Sequence, residues 1–165
     1  MVDRVAKRLV RGLSGRPIGR SRTGELPLPG GSTPPEILAA AAAANDGHGV
    51  ARDVIDHLAG RYGSRLDAVL GVVAKDRALG APVLPDQPDP QAEVVSAVDD
   101  ELAVTLEDVL RRRTQLALFD PAGGTAAADA VAALMAERLG WSPEDARDAA
   151  RAYVDAVRED QRRWR

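Results

Sequence analysis

Ser142-Pro143-Glu144-Asp145 is a complete helix start: a capping serine, a proline at the first helical position and acids in the first turn. The same signal recurs at Thr33-Pro34 with Glu36, and at Ser64 with Asp67, each acid or amide-seeking carboxylate sitting where it can complete a capping box. Stops stand at Asn45-Asp46-Gly47, Gly63 and Gly140. Starts and stops at this spacing confine the chain to a succession of helices with short links. Thirty alanines against five aromatics agree with that, because strands draw on β-branched and aromatic side chains.

Apolar periodicity fills in the elements. Val2, Val5, Leu9 and Leu13 predict a short helix over 2–13, followed by an extended link over 14–32 broken by Pro17, Pro27, Pro29 and Gly30-Gly31. Thr33 caps the next helix. Val50, Val54, Ile55 and Leu58 predict one from about Gly49 to Arg61, and Leu66, Val69, Leu70 and Val73 another after Gly63. Pro82, Pro85, Pro88 and Pro90 make 80–90 a loop, neither helix nor central strand. From Gln91 to Arg113 the three- and four-residue steps of Val94, Val95, Val98, Leu102, Leu106, Val109 and Leu110 predict one long amphipathic helix. Phe119-Asp120-Pro121 and Gly123-Gly124 form a turn. A helix with Val131, Leu134, Met135 and Leu139 follows, then a last one with Ala146, Ala150, Tyr153, Val157 and Trp164. The expected fold is all-α: a compact bundle of about five to seven helices with an extended basic N-terminal arm.

Chemistry is harder to find. The chain has no cysteine, which removes disulfides, thiolate nucleophiles and cysteine-ligated zinc. Its two histidines, His48 and His57, have no HExxH around them. There is no GxSxG, no P-loop and no GxGxxG behind a strand; Gly12, Gly15, Gly60 and Gly63 read as helix stops. Asp99-Asp100-Glu101 and Glu107-Asp108 read as a solvated helical face, and His57 as a core-edge histidine. No catalytic, cofactor-binding or metal-ligating residue is expected. Residues 1–22 carry seven cations against Asp3, but no aromatic for base stacking, so the arm reads as a solvated connection and no nucleic-acid partner is expected. No apolar run has the length of a membrane span and the first thirty residues lack a signal peptide's apolar core, which makes a soluble cytoplasmic protein the expectation. Arg111-Arg112-Arg113-Thr114 reads either as a solvated, dipole-satisfying helix end or as a docking surface.

Several segments, in order, resemble one family. Ser21-Arg22-Thr23, Leu26-Pro27-Leu28 and Gly30-Gly31 look like the stretch leading out of the flavin domain of FAD-dependent glycerol-3-phosphate dehydrogenases and alpha-glycerophosphate oxidases. His57-Leu58 with Arg61-Tyr62-Gly63-Ser64, Ala92-Glu93-Val94-Val95 with Glu101-Leu102-Ala103, and Leu106-Glu107-Asp108-Val109-Leu110 with Arg112-Arg113-Thr114 are similar to motifs of that family's C-terminal helical domain. Leu134-Met135-Ala136, Leu139-Gly140-Trp141 and Tyr153 match the pattern near its end.

The resemblance implies a division at residue 32: residues 1–32 as the end of a flavin domain and its link, and 33–165 as the C-terminal helical domain. It implies a parent enzyme that oxidises sn-glycerol 3-phosphate to dihydroxyacetone phosphate with FAD, passing electrons to a quinone or oxygen. The family's dinucleotide motif and substrate-binding residues belong to the flavin domain and have no counterpart here. The chain alone is therefore expected to be no enzyme and to hold no cofactor. Its expected partner is a flavin domain, in cis or separately encoded, with the parent in the cytoplasm or peripheral to the inner face of the membrane. A start at Met1 implies a truncated gene product, a separately cut domain or a split protein. The expected docking residues are Arg61, Tyr62, Glu101, Arg112, Arg113 and Thr114. The competing expectation is a free-standing helical interaction module that binds through its basic arm or an exposed apolar face.

Overall fold

The computed structural model describes residues 2–15, 22, 24–26, 28–31, 33–44 and 49–163. Eight α-helices are found among them: α1 Val2–Ser14, α2 Pro35–Ala44, α3 Arg52–Tyr62, α4 Leu66–Lys75, α5 Gln91–Asp99, α6 Leu116–Phe119, α7 Ala128–Leu139 and α8 Pro143–Arg163. A π-helical segment, Asp108–Arg113, lies between α5 and α6. The described residues form no strand beyond one isolated antiparallel bridge between Pro82 and Pro90, inside the expected proline loop.

The helices enclose two apolar clusters that share α5 as a wall. Ile55, Leu58, Leu66, Val69 and Leu70 fill the first, together with Ala92 from α5. Val94, Ala97 and Val98 of the same helix face the second, against Leu110, Val131, Met135 and Tyr153. Every residue from Ala92 to Val98 is buried, so α5 is enclosed all round. A helix in that position is normally apolar throughout. Glu93, in its first turn, and Ser96 are the exceptions, and the site below is built on Glu93.

The expected long helix over 91–113 is two helical segments. Asp100 N–H donates to Ser96 at 2.9 Å and Ala103 N–H reaches back to Ala97 at 2.9 Å, closing the end of α5. The chain reverses at Leu102, whose φ is +57°. A new start then stands inside the apolar run. Asp108 N–H donates to the Thr105 hydroxyl at 3.1 Å, while Thr105 N–H and Val104 N–H donate to the Asp108 carboxylate at 3.0 and 3.2 Å. Both segments bury their apolar sides in one cluster, so the helical spacing continues across a break that it cannot reveal. This split, with the short α6, takes the helix count past the expected five to seven.

Local start signals are used unevenly. At Ser142 the reciprocal box forms as expected: Asp145 N–H donates to the serine hydroxyl and Ser142 N–H to the Asp145 carboxylate, both at 3.1 Å. Ser64 makes no cap; Gly63–Arg65 is a 3-10 turn leading directly into α4. Pro34 rather than Thr33 opens α2, its carbonyl accepting from Ile37 and Leu38. The expected stop at 45–47, together with His48 and Trp164, lies outside the described residues.

Of the basic arm, 2–14 is the expected helix, and the described parts of the link are fastened to the body at one point. Ser64 N–H donates to the Gly30 carbonyl at 2.9 Å. A Cβ on Gly63 would stand 1.9 Å from that carbonyl oxygen, so the contact exists only because both partners are glycine. α1 itself has no extended packing against another helix among the described residues. Val5, Leu9, Val10 and Leu13 are exposed along its apolar side.

Candidate functional site

Asp89 closes the proline loop just before α5, and Glu93 lies one turn into that helix. Both are buried, at 3% and 0% exposure. Arg61, from the last turn of α3, reaches across with one nitrogen 2.5 Å from Asp89 Oδ1 and 2.7 Å from Glu93 Oε1. His57, one turn earlier on α3, puts Nε2 3.4 Å from Asp89 and 3.8 Å from Glu93. Those distances are long, and neither His57 Nε2 nor Glu93 Oε2 has a hydrogen-bond partner among the described residues.

The charges balance. Attraction to Asp89 first and Glu93 second, acting against burial and Arg61, pushes His57 up to about 9, so it carries a proton at neutral pH. Burial alone would raise Asp89, but His57 and Arg61 outweigh it and hold the carboxyl below its ordinary range. Two cations thus face two carboxylates. His57, Asp89 and Glu93 also bring ligand-type atoms within 4.8 Å of one another. Arg61 already bridges the carboxylates, however, with one nitrogen against an oxygen of each. The arrangement is an ion-pair lattice that pins α3 to α5.

One pH dependence follows from it. The folded His57 value lies above the unfolded value of about 6.5. Its contribution to stability is therefore complete below about pH 6.5 and lost as pH rises through about 9. Thermal midpoints measured from pH 6 to 10 should fall over that interval, and His57→Gln should flatten the fall. A wild-type curve that stays level between pH 6.5 and 9.5 would refute the assignment.

A second charged cluster sits where α5 has ended. Glu101 lies between Arg65, 3.5 Å away, and Arg113, 3.3 Å away. Arg113 also donates to the Glu101 carbonyl at 2.9 Å. Arg112 is exposed and reaches Asp108 at 2.5 Å and Glu107 at 2.8 Å. Burial opposes it, but hydrogen bonds from Thr105 and Arg112, joined by the N–H groups of Val104 and Thr105, draw the Asp108 carboxyl down to about 2.

The six expected docking residues therefore separate. Glu101, Arg112 and Arg113 gather around one loop. Arg61 is committed to Asp89 and Glu93, and Tyr62 is buried in the first cluster, where burial above all raises its phenol. Thr114 is fully buried; its hydroxyl and its N–H both bond to the Val109 carbonyl at 2.9 Å, which closes the π-helical segment. Three of the six are interior to this chain. Sequence reasoning gave Asp89 no role and knew Glu93 only as part of a family motif. The available signal was a lone acid inside Ala92-Glu93-Val94-Val95, with only Ser96 as a polar neighbour before Asp99.

A flavin dinucleotide does not fit these residues. Its pyrophosphate is held where a strand passes through a glycine-rich turn into a helix, and the described residues contain no such unit.

The model of the C-terminal domain of alpha-glycerophosphate oxidase matches residues 21–146. The chain is 35% identical over 144 residues to a glycerol-3-phosphate dehydrogenase of Synechocystis, covering 87% of this chain and 25% of that protein. It is 35% identical over 91 residues to glycerol-3-phosphate dehydrogenase 2 of Mycobacterium tuberculosis, covering 55% and 16%. A probable mitochondrial glycerol-3-phosphate dehydrogenase of Dictyostelium discoideum is 33% identical over 92 residues, covering 56% and 14%. The chain spans about a quarter or less of the length of these relatives.

Proposed function

Since the chain belongs to the family of the C-terminal domain of alpha-glycerophosphate oxidase, we propose that it is the accessory helical domain of an FAD-dependent glycerol-3-phosphate dehydrogenase. The observation that carries this reading is the extent of the match: a C-terminal-domain model over most of the chain, and a quarter of the Synechocystis dehydrogenase. In this reading FAD and the oxidation of glycerol 3-phosphate belong to the flavin domain, encoded in cis or separately. The chain alone performs no turnover. Its role is to cover and steady that domain. The parent belongs to the cytoplasm in this reading, free or peripheral to the inner face of the membrane.

The N-terminal part is read as the end of the flavin domain and its link, with the accessory domain running from residue 33. The family model begins at residue 21, beyond α1, which favours setting α1 apart from the accessory domain while taking 21–32 into the match. So does α1 itself, with Val5, Leu9 and Leu13 exposed along a stripe that a neighbouring domain would bury.

The test has two arms. The purified chain, incubated with FAD and passed through a desalting column, should retain no flavin and show no glycerol 3-phosphate-dependent dye reduction. Mixed with the flavin-loaded remainder of the Synechocystis relative, it should co-sediment as a one-to-one complex. Stoichiometric flavin on the isolated chain would overturn the reading, as would failure to associate with a flavin-loaded partner.

A further inference from the structure

The geometry points to the loop Glu101–Thr105 as the anchor by which this domain docks on the flavin domain, with Leu102 as the side chain that enters it. This rests on the accessory-domain reading above and goes beyond it by naming the surface.

Leu102 is the starting point. Its φ is +57° and 81% of the residue is exposed. A left-handed leucine is strained, and glycine would make the same reversal without cost. An exposed leucine gains nothing from the solvent in return. In a domain that stands alone, the backbone strain and the apolar exposure work against stability together. They make sense where the side chain has a pocket to fill.

The loop is not slack. On one side of Leu102, the Glu101 carboxylate is held between Arg65 and Arg113, and its carbonyl accepts from Arg113. On the other side, Ala103 is fully buried with its N–H on Ala97, and the N–H groups of Val104 and Thr105 are held by Asp108. Leu102 is thus presented from a backbone fixed at both ends, which removes most of the ordering cost of binding. Val104, 58% exposed, supplies a second apolar contact. Arg112, paired with the same Asp108 that holds the loop, supplies a charged rim. An apolar centre inside a polar rim is the usual make-up of a protein interface.

The occupant is the flavin domain, offering an apolar pocket to Leu102. About three-quarters of the Synechocystis relative lies outside the part this chain spans, so a large neighbour exists in that protein to take the anchor.

Leu102→Gly separates the alternatives, because its two effects have opposite signs. It should raise the thermal midpoint of the isolated chain by relieving the left-handed strain. It should also weaken association with the flavin-loaded remainder of the Synechocystis dehydrogenase by at least about tenfold, the scale of a lost hot-spot side chain. Leu102→Asp should abolish association while leaving the isolated chain folded by circular dichroism. Equal binding by wild type and Leu102→Gly would overturn this inference and leave the accessory-domain reading standing. A lower midpoint for Leu102→Gly in the isolated chain would make the residue structural and overturn it too. So would concentration-dependent self-association of the chain alone that Leu102→Asp removes, because the occupant would then be a second copy. No association by wild type with a flavin-loaded partner would overturn the accessory-domain reading and this inference with it.

Discussion

Arg61→Met should lower stability by about 3–5 kcal/mol, the scale of removing one partner from a buried ion pair. Asp89 and Glu93 would be left with His57 alone, at 3.4 and 3.8 Å and with no hydrogen bond from it. For a domain of this length that corresponds to a thermal midpoint about 10 °C lower. Adding Glu93→Gln should recover part of the loss, since one unpaired buried charge is then removed. A double-mutant cycle over Arg61 and Glu93 measures that coupling directly. Arg112→Met is the contrast. Arg112 also bridges two acids, but it is half exposed, with a side-chain exposure of 52% against 19% for Arg61. Its replacement should barely move the midpoint, because water already screens the pairing. Equal midpoints for Arg61→Met and wild type would mean that the lattice between α3 and α5 carries no stability.

Gly63→Ala is the second large effect. Gly63 has φ +54° and ψ −131°, a conformation that side-chain-bearing residues avoid, and its added Cβ would lie 1.9 Å from the Gly30 carbonyl oxygen. Neither fault can be relieved by rotating a side chain, because the obstacle is backbone. The link must leave the α3–α4 corner, and the hydrogen bond from Ser64 N–H to Gly30 goes with it. The combined cost should be about 3 kcal/mol or more, from backbone strain together with the lost bond. Limited proteolysis should then cut the link near Gly30 much faster than in wild type. Gly60→Ala is the control, since a Cβ there meets nothing within 4 Å and α3 gains a better helix former. A Gly63→Ala chain with wild-type midpoint and wild-type proteolysis would show that the glycine–glycine contact does not hold the link.

The two clusters were legible in the sequence to different degrees. Arg112 and Arg113 stand in an arginine run at the end of a strong apolar pattern, and Glu101 in an acidic stretch, so all three drew attention as charge. Arg61 and Tyr62 came from the family motifs, and Thr114 from a motif and from the end of the arginine run; neither signal says which way a residue faces. The structure turns those three inward. Asp89 was hidden by its surroundings, because a carboxylate among prolines reads as a solvated turn. Only the bridge of Pro82 to Pro90 and the approach of α3 place it over Arg61.

Helix starts and stops were readable because they act over a single turn: Ser142 and Asp145, or Gly140 with its φ of +71°, need no distant partner to form. Apolar spacing likewise identified the buried faces, since a residue's side of its own helix is fixed by periodicity. On those grounds the sequence by itself determined an all-α domain and the cores of α3, α4, α7 and α8. The break at Leu102 escaped, because two segments that share one core keep the spacing of a single helix. Long-range packing alone decided that Glu93 would be buried against Arg61 and that Gly63 would meet Gly30. Each depends on which surfaces meet across thirty or so residues of chain, and neither propensity nor periodicity acts over that distance.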